Sequence, residues 1–266
     1  MAGRHDDVRP PLLLSMADFF CYDVQVVTMK IIRDIEKFKK IPPKERKFYY
    51  ISDLVFAEIP IKDSGEGLLD IGALAKKNRL PLFLDIQNST AGKMYLRETA
   101  AKKLLSAISI LQKHSKGLLT LKIYETLRPI SMQRKQFNDH TEFVKKKYGL
   151  SGKALWLKVT EYLADPDLHP PHATGGVMDL TIARVDTGHE LNMGSHLNDS
   201  SSKMHTWYGR LPKIAKENRK LLYRVMTEAG FVNTPTEWWH YSYGDQFWAV
   251  WNGKKCALYD SVGTVL

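Results

Sequence analysis

The sequence predicts an α+β fold: an antiparallel sheet with flanking helices. Two observations predict it. Helical periodicity runs through residues 97–113, 130–148 and 212–230, with short strand-like segments between these stretches. The aromatic-rich C-terminal part is broken by hairpin-type turns, which separates it from the regular strand–helix alternation of a doubly wound sheet.

Taken in order, residues from Val26 to Lys40 read as a helix that stops before Pro42-Pro43. Phe48 to Ile59 is rich in Tyr, Ile, Val and Phe and reads as extended. Residues 1–60 therefore form an N-terminal extension packed on a main domain at 61–266. In the next helix Ala100, Leu104, Ala107, Ile108 and Leu111 share one face, and Gly117 follows as a stop. Leu119 to Tyr124 is strand-like, Glu125 to Pro129 is a loop, and a helix covers Ile130 to Tyr148. A loop of Pro, Asp, His and Gly fills 165–176 before a strand at Val177 to Val185. An amphipathic helix spans Pro212 to Gly230. Asn252-Gly253 has the composition of a two-residue hairpin turn.

The chain has 266 residues, enough for one substantial domain with an elaboration. No apolar run approaches the roughly 20 residues of a membrane-spanning helix. Leu12-Leu13-Leu14 breaks at Ser15, too short for a signal-peptide core, so the sequence points to the cytoplasm, or to the periplasm after processing. Cys21 and Cys256 have neither metal-type nor redox-type spacing. The formal charge of +10 includes the run Lys145-Lys146-Lys147, which reads as a solvated helix face. No nucleic-acid recognition motif accompanies the charge, so nucleic acid is not an expected partner. Oligomeric state is not readable.

Two segments carry chemistry: His172-Ala-Thr-Gly-Gly-Val-Met-Asp179, entering a strand, and Glu237-Trp-Trp-His240, after a helix and a Pro-containing turn. Catalytic zinc uses three imidazole or carboxylate ligands and keeps one position open. His172, Asp179 and His240 supply such a set, and Gly175-Gly176 lets the backbone double back between the first two. Glu237, three residues before a ligand, shares its side only if the backbone there is bent; it could then act as acid and base. On spacing alone the bland reading stays level with this one: structural histidines, a polar strand start at Asp179, and tryptophans that simply pack.

The spacing HxxGxxxD (His172, Gly175, Asp179) followed by ExWH (Glu237, Trp239, His240) resembles the zinc site of the D-alanyl-D-alanine dipeptidase family, the vancomycin-resistance type. Tyr124-Glu-Thr-Leu-Arg128-Pro129 with Gln133 also resembles a family segment, as do Asn88-Ser-Thr-Ala-Gly92-Lys93, Asp186-Thr-Gly-His-Glu-Leu and Met193-Gly194-Ser195. The likeness runs from about residue 80 to the C-terminus. It implies the small zinc-peptidase fold shared with D-Ala-D-Ala carboxypeptidases and hedgehog-like domains. It also implies Zn²⁺ on His172, Asp179 and His240, Glu237 as general acid/base, and Arg128 stabilising the tetrahedral intermediate. The alternative for Arg128 is a structural ion pair with a nearby carboxylate. Two positions depart from the pattern: Pro170 stands where the family has a serine, and Asn198 where it has an aspartate, with Asp199 next. In the family those two residues lie where the free amino end of the dipeptide is held.

The expected function is zinc-dependent hydrolysis of D-Ala-D-Ala or a similar D-amino-acid dipeptide in bacterial cell-wall metabolism. One alternative is a carboxypeptidase or endopeptidase on longer cell-wall peptides. Another is a non-catalytic zinc-containing binding protein.

Overall fold

A computed structural model describes residues 30–51, 53–88, 92–160, 163–199 and 201–263. Its first elements are β1 (Lys30–Ile32), α1 (Ile35–Lys39), α2 (Pro43–Arg46), β2 (Tyr49–Ile51) and α3 (Asp53–Phe56). Next come β3 (Leu68–Asp70), α4 (Ile71–Lys77), β4 (Phe83–Leu84), β5 (Tyr95–Arg97), α5 (Glu98–Ser115) and β6 (Leu119–Glu125). Two helices follow, α6 (Ile130–Tyr148) and α7 (Gly152–Thr160), then β7 (Val177–Arg184) and α8 (Lys213–Glu228). The chain closes with β8 (Val232–Asn233), β9 (His240–Ser242) and α9 (Gln246–Trp251).

The main sheet has the order β4-β6-β7-β9-β8. All its pairings are antiparallel except β4 with β6, so the expected antiparallel sheet carries one parallel edge strand. Side chains alternate across β7. Met178, Leu180 and Ile182 join Leu121 and Ile123 in the core, against Leu104, Ile108 and Leu111 of α5 and Leu222, Val225 and Met226 of α8. Asp179 and Thr181 take the opposite face. Burying one face against two helices fixes the register, because a slip of one residue would turn Asp179 inward.

A second core joins the N-terminal part to the C-terminal helix. Phe38, Ile51, Phe56 and Ile59 pack with Phe247, Trp248, Ala249, Val250 and Ala257. Gln246 donates to the carbonyls of Ala57 and Ile59 at 2.9 and 2.7 Å. Buried Arg46 donates to the carbonyls of Ile41, Lys39 and Trp251.

Several local expectations are corrected. Residues 26–29 of the expected first helix lie outside the described residues. Within its remainder, Lys30–Ile32 is a strand parallel to Tyr49–Ile51, and only Ile35–Lys39 is helical. The Asp34 carboxylate accepts from the amides of Glu36 and Lys37, so the helix starts after it. The extended segment expected from Phe48 stops at Ile51, and Asp53–Phe56 is helical. Asn252-Gly253 ends α9 instead of turning a hairpin: Asp245 caps that helix through the Trp248 amide, and Gly253 takes a positive φ of 63°. Residues 89–91 of the Asn88–Lys93 segment and Cys21 lie outside the described residues. Among the described residues no helix is long and apolar enough to cross a membrane.

Candidate active site

Three neighbouring strands place a row of polar groups side by side. Glu125 on β6 is opposite Asp179 on β7, and Asp179 is opposite His240 on β9. The β6–β7 register shifts between Ile123 and Glu125. That bulge brings Glu125, in place of Tyr124, into the row; bulges commonly re-aim a side chain in this way.

His172 arrives from a 3₁₀ turn, Pro171–Thr174, entered from Pro170. Its Nδ1 lies 2.9 Å from the Thr126 carbonyl, so Nδ1 is the donor there and Nε2 is the nitrogen left facing the cavity. Gly175 ends the turn at φ 73°, the left-handed region. At Gly176 a Cβ would sit 2.0 Å from the Tyr243 carbonyl oxygen and 2.8 Å from the Tyr259 ring. The glycine pair thus works as read from the sequence: one residue turns the chain and the other admits a close crossing.

Glu237 and His240 sit on a turn, with the Glu237 amide donating to Thr234 O at 2.9 Å and the His240 amide to Glu237 O at 3.3 Å. This bend puts Glu237 Oε2 3.6 Å from His240 Nδ1, on the same side as His240. Trp238 and Trp239 between them are buried in the core, so they pack, as the bland reading had it.

One ligand atom from each of His172, Asp179 and His240 lies within 4.8 Å of the others. Asp179 Oδ1 is 3.0 Å from His240 Nδ1 and 3.5 Å from His172 Nε2, yet it is buried and neither contact has hydrogen-bond geometry. The three groups are thus close enough to share one ion, while the Asp179 oxygen has no hydrogen-bond partner. Two imidazoles and a carboxylate with an orphaned buried oxygen fit a divalent metal of the zinc type. The electrostatics agree. Burial opposes ionisation of Asp179, but the charge and contact of His172, then of His240, hold its carboxyl below the usual range. Burial would lower His240, but its contact with Asp179 and the charges of Asp179 and Glu237 push it up to about 9. A field that favours imidazolium here favours any cation.

Arg128 enters from the loop after β6. Its Nε and Nη2 donate to the two carboxylate oxygens of Glu125, each at 2.7 Å, and Nη1 donates to Gln133 Oε1 at 2.7 Å. Gln133 in turn donates to the Ala164 carbonyl. The ion-pair alternative for Arg128 is therefore present, but at the wall of the same cavity that holds the metal-type cluster. This cavity of about 510 Å³ is lined by Arg128, Glu125, His172, Asp179, Glu237 and His240, with Asn198 also at its wall.

Sequence reasoning assigned no role to Glu125, although it lies in the quoted Tyr124–Pro129 segment. It also missed Arg219. This arginine sits on the buried face of α8 and donates to the carbonyls of Met193, Lys203 and His205. Those bonds hold Met193, Lys203 and His205, on either side of the Asn198 that lines the cavity. A buried-face cation in an amphipathic helix was the available signal.

The family model described as D-ala-D-ala dipeptidase matches residues 85–255. The D-alanyl-D-alanine dipeptidase of Synechocystis sp. is 28% identical over 221 residues, covering 73% of this chain and 88% of that protein. The enzyme of the same name from Escherichia coli is 30% identical over 148 residues, covering 55% of this chain and 65% of that one. Among solved structures, the LdcB LD-carboxypeptidase aligns with TM-score 0.42 at 16% identity, covering 77% of this chain and 78% of that chain.

Proposed function

Because this chain belongs to the D-Ala-D-Ala dipeptidase family of metallopeptidases, we propose that it hydrolyses D-alanyl-D-alanine or a similar D-amino-acid dipeptide in bacterial cell-wall peptide metabolism. Zn²⁺ is the proposed metal, with His172, Asp179 and His240 its ligands. The observation that carries this reading is the convergence of those three groups on one cavity with Glu237 and Arg128. We also propose that residues 1–60 form an extension of a main domain at 61–266; residues 1–29 lie outside the described residues, and for the remainder the second core and the Gln246 bonds support packing on that domain.

The metal, when bound, supplies Lewis acidity toward a peptide carbonyl and its attacking water. The Glu237 carboxylate takes a proton from that water as the new C–O bond forms. It returns the proton to the amine nitrogen as the C–N bond breaks. Three of the five N–H groups of Arg128 are engaged by Glu125 and Gln133, which leaves donors for negative charge on the carbonyl oxygen. A guanidinium clamped in advance stabilises that charge without reorganising as it develops. Glu125 acts by orienting Arg128, and the Thr126 carbonyl by orienting His172.

The experiment is release of free D-alanine from D-Ala-D-Ala by zinc-loaded protein, with Glu237→Ala beside it. Turnover by the wild type and silence in the variant support the assignment; no D-alanine from a zinc-bound wild type sinks the dipeptide reading. The second reading, a peptidase on longer cell-wall peptides, is favoured by Pro170 and Asn198. With neither a hydroxyl nor a carboxylate there, capture of a free ammonium end is weaker. Acetylated D-Ala-D-Ala separates the two, since only the second reading expects it to be cleaved.

A further inference from the structure

A second chamber adjoins the catalytic cavity. It measures about 260 Å³ and is lined by Tyr50, Phe56, Trp156, Leu157, Leu168 and Pro170, among others. Tyr50, Phe56, Thr160, Ala164 and Pro171 line both spaces, so the two meet at these residues. Their chemistry differs. The catalytic cavity is ringed by ionisable groups, whereas the chamber is walled mostly by aromatic and aliphatic carbon, with Asp165 among its polar members.

The walls are held in place. Phe56 meets Phe247 edge to face at 5.8 Å. The backbone just after Phe56 is tied to α9 through Gln246. Trp156 donates from its indole to Asp165 Oδ2 at 2.6 Å, and the other oxygen of Asp165 caps the turn that carries Leu168. Leu157 remains 48% exposed on the outer side. A mostly apolar space beside a peptide-cleaving centre favours an apolar group, since a polar one would leave hydrogen bonds unmade.

We propose that this chamber is a side-chain subsite for a substrate residue with a large apolar side chain. Tyr50 and Phe56, contributed by the N-terminal part outside residues 85–255, are then specificity-determining residues. The proposal rests on the dipeptidase reading and narrows its substrate class: one residue is larger than alanine. D-alanine's methyl group leaves most of the chamber empty, whereas a phenyl or isobutyl group fills it.

The test compares kcat/KM for D-Ala-D-Ala, D-Phe-D-Ala and D-Ala-D-Phe in the full-length zinc-loaded protein. One of the two aromatic dipeptides is expected to exceed D-Ala-D-Ala by about tenfold or more, the range a well-filled apolar pocket provides. Leu168→Trp, which fills the chamber from its own wall, should cut that ratio about tenfold. Leu157→Trp at the outer side serves as an independent block if Leu168→Trp does not fold. A preference for D-Ala-D-Ala, or a ratio that neither block changes, overturns the proposal. If no dipeptide is cleaved, calorimetry of the same peptides on zinc-loaded Glu237→Gln protein decides. Aromatic-dipeptide binding that a block abolishes keeps the subsite while the hydrolytic reading falls; absence of binding removes the subsite.

Discussion

Glu125 and Arg128 grip each other through two hydrogen bonds of 2.7 Å, at a point where a bulge has set Glu125 opposite Asp179. The pair links a strand end to the cavity wall, and Gln133 fixes the third direction of the guanidinium. An arginine so held is costly to replace by lysine, which keeps the charge but loses the fork.

Arg128→Lys is expected to lower kcat by about 10²-fold to 10³-fold, the scale of losing one oxyanion donor. Glu125→Gln keeps the shape but weakens the clamp, and a smaller loss in kcat is expected. Steady-state kinetics with thermal melting checks both. If melting temperature drops while kcat holds, the pair is structural only.

Zinc should stabilise the folded chain by mass action, by about 4 kcal/mol at a thousandfold excess over its dissociation constant. Asp179→Asn and His240→Ala should each shrink the zinc-induced rise in melting temperature. A rise that survives both changes would place the metal elsewhere.

Gly176→Ala should destabilise the protein by about 3 kcal/mol, because the added methyl group meets the Tyr243 carbonyl oxygen at 2.0 Å. Zinc affinity should weaken with it, since Gly176 lies between His172 and Asp179. Urea denaturation with a zinc titration reads both effects. Wild-type stability would show that the crossing of the two segments is loose.

Burial, then the nearby Arg219 charge, pulls His205 below its ordinary value of 6.5. The sign follows. A folded-state value below the unfolded one gives stability that is complete above pH 6.5 and is lost as pH falls from there, because the unfolded chain binds the proton first. Melting temperature should therefore fall below pH 6.5, and His205→Gln should make the fall shallower. An unchanged slope would assign the acid loss to other groups.

Much of the fold was legible because burial on one face writes a period into the chain. The helix expected from Ile130 to Tyr148 has those bounds in the structure, and Glu98–Ser115 and Lys213–Glu228 lie close to theirs. Local reading failed where a partner distant in sequence decided. Lys30–Ile32 is a strand because Tyr49–Ile51 lies beside it. Gln246–Trp251 is a helix because Asp245 caps it and Phe56 and Ile59 cover its apolar side.

By itself the sequence determined which residue types are present and at what spacing: the His172–Asp179 and Glu237–His240 segments, the glycine pair and the requirement for a bend at Glu237. Short-range spacing is enough for those, because turns and strand alternation act over a few residues. Only the tertiary structure decided that Glu125, Asp179 and His240 form one row, that Arg128 is clamped, and that Tyr50 and Phe56 wall the site. Each of these depends on strand register or on the burial of distant apolar side chains, and such pairings are set by packing across the whole fold.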